Sequence, residues 1–127
     1  MANTIDYAEI WKDACVVGNL AGDRKQCVPM VVQQHGNMLD DKTEVVQEWF
    51  VADGVCGFAW LQFRGNTAFA RWTASVNLGY KAYQGGREIR CHLYNQSMQR
   101  KEAWCYAVRD YLKLLHGIEV NVYSRMD

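Results

Sequence analysis

Proline is almost missing from this chain of 127 residues, with a single one at position 29, and there is no low-complexity run. Proline-rich linkers and polyproline segments are therefore excluded. Charge of one sign is missing too, since 14 Lys and Arg balance 14 Asp and Glu, and only 22% of residues are charged. A profile that balanced, at 50% hydrophobic residues, excludes intrinsic disorder. No stretch approaches the ~18 consecutive apolar residues of a bilayer span. The first residues lack the basic region followed by an apolar core that marks a secretory signal, so a soluble, unexported protein without a membrane partner is expected.

Chemistry-bearing patterns are equally sparse. The cysteines stand at positions 15, 27, 56, 91 and 105, an odd number with no Cys-x-x-Cys pair, which suits buried free thiols in a reducing compartment better than a disulfide framework. Three histidines with no His-Glu-x-x-His, and no cysteines at zinc spacing, leave no metal site. Gly85-Gly86 and Gly54-x-x-Gly57 are too short for a phosphate loop and lack a following Gly-Lys-Ser/Thr. Cys91 and His92 are adjacent, but on a strand they point to opposite faces. Cys105 and His116 share a helical face at a separation of roughly 16 Å, too far to act together. Asp40-Asp41 fits a solvated turn better than a catalytic pair. The expectation is a protein that is not an enzyme and takes no cofactor.

What is present is a segmental charge bias and an excess of rings. Residues 1–54 carry four Lys and Arg against nine Asp and Glu, whereas residues 55–127 carry ten against five. The basic second part could lie against the acidic first part or meet phosphate or an acidic protein. Five Trp and seven Tyr exceed what one small core must bury. These residue types are enriched at binding hot spots, which points to a protein interface or self-association.

Periodicity yields one α+β domain over residues 1–127. Asp6 with Glu9 three positions later is a capping-box-like start for a helix over residues 7–21, ended near Gly22. Two weak strands follow at 28–32 and 45–51, separated by a loop. A β-α-β-α-β unit comes next, with a strand at 58–64, a helix over 67–78 opened by Asn66, and an alternating strand at 88–94. A long helix over 98–116, capped by Asn95 or Ser97 and closed by Gly117, leads to a strand over 118–123. The two helices of this unit are expected on one sheet face, with the N-terminal helix covering the other.

Alternation also defines a candidate binding face. Arg90, His92 and Tyr94 share one side of their strand, and Tyr123 and Arg125 lie outward on or just past the last one. The strand at 58–64 adds either Phe58, Trp60, Gln62 and Arg64 or Ala59, Leu61 and Phe63. Rings interleaved with guanidinium groups on an open sheet suit single-stranded nucleic acid, because bases stack on rings and phosphates pair with arginine. The alternative is that the N-terminal helix buries these rings.

Gly54-Val55-Cys56-Gly57-Phe58-Ala59-Trp60, Phe69-Ala70-Arg71-Trp72, Tyr83-Gln84-Gly85-Gly86, Gln96-Ser97-Met98-Gln99-Arg100-Lys101-Glu102-Ala103 and the ending Ser124-Arg125-Met126-Asp127 resemble a family of small tailed-phage proteins. The resemblance spans about residues 50–127 and carries no catalytic residues with it. It implies a viral protein in the host bacterial cytoplasm or the virion. Its occupation would be binding: a virion component, a replication accessory or an inhibitor of a host system, with a host or phage protein as partner. Homo-oligomers and nucleic acid are further partners, expected from the excess of rings and from the basic-aromatic face.

Overall fold

A computed structural model describes residues 5–27, 30–35, 45–51, 54–83, 85–95 and 97–126. Helices and sheets are mixed, an α+β arrangement. The chain opens with α1 (Tyr7–Arg24), followed by an antiparallel pair, β1 (Met30–His35) and β2 (Val45–Val51). Then come β3 (Gly57–Phe63), α2 (Ala68–Ser75), β4 (Tyr80–Lys81), β5 (Arg87–Arg90), α3 (Met98–His116) and β6 (Asn121–Met126). The last four strands form one antiparallel sheet in the order β4-β5-β3-β6.

Local chemistry sets most of the boundaries. Asp6 accepts a hydrogen bond from the Glu9 amide at 3.1 Å, as a helix N-cap should. Thr67 plays that part for α2 by accepting from the Ala70 amide at 3.1 Å, displacing the expected Asn66 by one position. Ser97 caps α3 through the Arg100 amide. At the other end Gly117 takes the left-handed conformation at φ 64°, and the Gly117 and Ile118 amides donate back to the Lys113 and Leu112 carbonyls.

Gly22 was expected to stop the first helix, yet α1 runs through it to Arg24. Its role is close approach. Ala14, Gly18 and Gly22 recur every fourth residue on the buried side of α1, and the Tyr94 ring packs directly on Gly22. Gly18 lies under Trp104 and Val108 of α3. The Trp104 indole donates to Asn19 Oδ1 at 3.0 Å, and Arg100 donates to the Gly22 and Asp23 carbonyls at 2.9 and 3.1 Å. That guanidinium sits where the α1 dipole is negative.

All three helices share one side of the sheet, which overturns the expectation that α1 covers the opposite face. Ala59, Leu61 and Phe63 of β3 point into a core completed by Ile89, Cys91, Phe69, Ala70, Cys105, Val108 and Leu112, with Ala14 of α1 in the same cluster. Phe69 links the layers, with its ring centroid 5.1 Å from Phe63, 5.9 Å from Tyr7 and 6.3 Å from Trp11. Arg87 ties β5 to α2 by donating to Thr73 Oγ1 and to the Leu78 carbonyl, each at 2.9 Å.

Further boundaries differ from expectation: the last strand runs over Asn121–Met126 rather than 118–123, and α2 ends at Ser75 rather than at 78. The unit is β-α-β-β-α-β, because β4 is only two residues long and carries no readable alternation. The strand expected to reach Tyr94 stops at Arg90, since Tyr94 and Asn95 take φ values of 65° and 52° and turn the chain toward α3. The expected loop around Asp40-Asp41 lies outside the described residues.

The Gly18 contact can be tested by stability. A Cβ there would meet Val108 Cγ2 at 2.7 Å and the Trp104 ring at 2.8–2.9 Å, so Gly18→Ala should cost about 1–3 kcal/mol in urea unfolding. Gly65, whose nearest neighbour would be 3.7 Å away, supplies the control, with Gly65→Ala staying within about 0.5 kcal/mol.

Alkaline pH should also loosen the fold. Burial pushes the Cys15 thiol up to about 11, and burial together with the Asp23 carboxylate pushes the Tyr94 hydroxyl up to about 12. Both folded values exceed those of the unfolded chain, so their stabilisation is complete below pH 9 and is lost as pH rises through the folded values. Thermal midpoints should hold to pH 9 and fall progressively between pH 9 and 12; a midpoint constant over that window would contradict the assignment.

Candidate binding face

The face of the sheet away from the helices is built by the period of two in β3. With Ala59, Leu61 and Phe63 buried, the half-buried Phe58, Trp60 and Gln62 point the other way, which decides between the two sets that the sequence left open. Register then assigns their neighbours. Trp60 pairs with Arg90 on β5 and Tyr123 on β6, Phe58 with Arg125, and Gln62 with Glu88 and Asn121. Tyr80 of β4 pairs with Glu88 and completes the row.

Rings and guanidinium groups alternate across these strands. The Trp60 and Tyr123 rings stack with centroids 6.2 Å apart and planes 22° from parallel. Arg90 lies over Trp60 at 5.4 Å and within 5.8 Å of Tyr80, while Arg125 lies 5.8 Å from Phe58. At these distances each guanidinium is within cation–π reach of a ring. Glu88 stands 3.5 Å from Arg90 Nε, a distance at which charge attraction rather than a good hydrogen bond connects them. The Trp60 indole N–H is buried without an acceptor among the described residues, at a cost of about 1–3 kcal/mol. Tyr80 and Tyr123 remain nearly half exposed, at 43% and 47%.

Of the residues singled out from the sequence, Arg90, Tyr123 and Arg125 meet on this face. Tyr94 does not join them. Its ring packs on Gly22, and its hydroxyl donates to the Asn19 carbonyl at 3.1 Å, on the helix side of the molecule. His92 is exposed past the end of β5, beyond the paired row. Tyr80 was missed because nothing in residues 76–86 alternates; only the register against β5 reveals its place.

The remaining chemical groups lie elsewhere. Cys91 is buried while His92 is exposed, both just past the end of β5, so the adjacent pair is split. Burial raises the thiols of Cys91 and Cys105 above their ordinary value, making them inert rather than nucleophilic. Among the described residues no group of three His, Cys, Asp or Glu side chains could share a metal ion. Among the described residues no helix is long and apolar enough to cross a membrane. A broad open groove of about 1160 Å³ separates the start of α2 from the end of α3. Its rim mixes Arg64, Lys113 and His116 with Glu119, and Arg109 there is already paired with Asp110 at 2.9 Å.

No protein-family model matches this chain, and neither a curated protein nor a solved structure matches it.

Proposed function

We propose that this is a non-enzymatic binding protein whose open sheet face takes single-stranded nucleic acid. The observation that carries the reading is the row of Tyr80, Arg90, Trp60, Tyr123 and Arg125 on the face away from the helix layer, ended by Phe58, whose ring Arg125 shares with Lys101 of α3 at 5.3 Å. Half-exposed rings offer stacking platforms to unpaired bases, and the two arginines beside them offer charge to phosphates. A role as a phage replication accessory in a bacterial cytoplasm accords with it, through the resemblance of residues 50–127 to small tailed-phage proteins.

A protein partner is the second reading, favoured by the exposed Leu114 and Leu115 near the end of α3, at 79% and 67%. Exposed apolar neighbours of this kind suit a protein contact and would not help a nucleic acid to bind.

The two readings separate in a titration of labelled single-stranded oligonucleotides of about 12 nucleotides, followed by fluorescence anisotropy. Two arginines on the face predict a shallow salt dependence, with log K falling against log salt at a slope of about −1.4. Tyr123→Ala should weaken binding about tenfold, by loss of one stacking platform. Leu114→Asp should leave it unchanged. Absence of binding at low salt, or equal binding by the wild-type and Tyr123→Ala proteins, would exclude the nucleic-acid reading.

A further inference from the structure

The two edges of the four-stranded sheet are unlike. β4 closes one side with two residues, too short to template another strand. β6 ends the other with six residues that contain no proline and no lysine and pair with β3 without a register shift from Gly57↔Met126 to Gln62↔Asn121. Natural edges are usually blunted by charged residues, by proline or by a bulge, and of these β6 has only Arg125, whose guanidinium lies against Phe58 on the open face.

Backbone parity shows what that edge offers. The Cys91 amide donates to the Ala59 carbonyl at 3.1 Å, so Ala59, Leu61 and Phe63 turn their backbone polar groups toward β5. Phe58, Trp60 and Gln62 turn theirs toward β6, where the register makes Arg125, Tyr123 and Asn121 their partners. Val122, Ser124 and Met126 therefore aim their N–H and C=O groups away from the sheet.

We infer that the chain self-associates through this edge, β6 pairing antiparallel with β6 of a second copy about a two-fold axis at Ser124. With the axis there, Ser124 faces its own counterpart and Val122 faces Met126 of the second copy. Every outward N–H and C=O of Val122, Ser124 and Met126 then finds a partner. An axis one residue earlier satisfies fewer of them, because Met126 would face Val120, which precedes the strand. Side chains agree with the register at Ser124. On the open face Tyr123 stands opposite Arg125 of the second copy, twice by symmetry. That repeats between copies the ring–guanidinium contact which Arg90 and Trp60 already make within one. The occupant is thus a second copy, since the strand is complementary to itself in polar groups and in side chains. The pairing does not depend on what the open face binds.

Residues directly opposite in a hydrogen-bonded antiparallel pair have Cα atoms about 5.5 Å apart, inside the 4.4–6.8 Å range of disulfides. Under mild oxidation without nucleic acid, the Ser124→Cys full chain should form a disulfide-linked dimer well above the background of the wild type, whose exposed Cys56 sets that level. Arg125→Cys should not exceed that background. In sedimentation, Ser124→Pro should weaken the dimer about tenfold or more by removing two outward N–H donors at the axis while sparing the bonds to β3. Ser124→Ala loses only the hydroxyl bond to Glu102 Oε2, at 2.9 Å, and should dimerise like the wild type. A wild-type chain that stays monomeric at tens of micromolar, or cross-linking at position 125 as efficient as at 124, would overturn the inference. So would a folded Ser124→Pro protein that dimerises normally; should that variant unfold, the cysteine pair decides alone.

Discussion

The alternation of seven residues in β3, Gly57–Phe63, is the constraint on which the rest depends. A strand directs successive side chains to opposite faces, so burying Ala59, Leu61 and Phe63 forces Phe58, Trp60 and Gln62 onto the other side. Because β3 is paired on both edges, with β5 and β6, its phase is imposed on both neighbours through the register. A slip of one residue would put Leu61 into water and Trp60 under the helices, and no other strand could keep its place.

Helix packing decides how far that constraint reaches. α1 settles on α3 rather than on the far side of the sheet because Ala14, Gly18 and Gly22 let the backbone come close to Trp104, Val108 and Tyr94. The indole bond from Trp104 to Asn19 and the Arg100 bonds to the end of α1 make that seat specific as well as apolar. With α1 spent on the helix layer, Tyr80 and Tyr123 stay nearly half exposed, Trp60 packs against Arg90, and Phe58 lies between Arg125 and Lys101 of α3. An aromatic face of that kind is stabilised within the monomer and still offers ring area to a flat ligand.

Face and edge meet at β6. Tyr123 and Arg125 belong to the open face by their side chains, while the backbone of Val122, Ser124 and Met126 belongs to the edge that no other described strand pairs. Pairing of two copies along that edge would carry the row of rings and guanidinium groups from one sheet into the next. A longer strand of bound nucleic acid could then be followed than four short strands permit.

Sequence alone determined the α+β class, the span of α3, the caps at Asp6 and Gly117, and the phase of the last strand, because each rests on a local rule: helical period, side chain to amide bonding, or alternation; the cap of α3 it left between Asn95 and Ser97. It also brought Arg90, Tyr123 and Arg125 onto one face, since alternation within a strand needs no knowledge of its neighbours. Tertiary structure alone decided the rest. Tyr94 has the right spacing for the open face, but two successive residues at positive φ turn it under α1. Gly22 looks like a helix stop, but its missing side chain is filled by the Tyr94 ring. Tyr80 joins the face only through pairing of β4 with β5, and the choice between Trp60 and Leu61 as the buried residue follows from where the helices lie. Contacts between residues distant in the chain set these outcomes, and no local pattern encodes which of two faces a helix will cover.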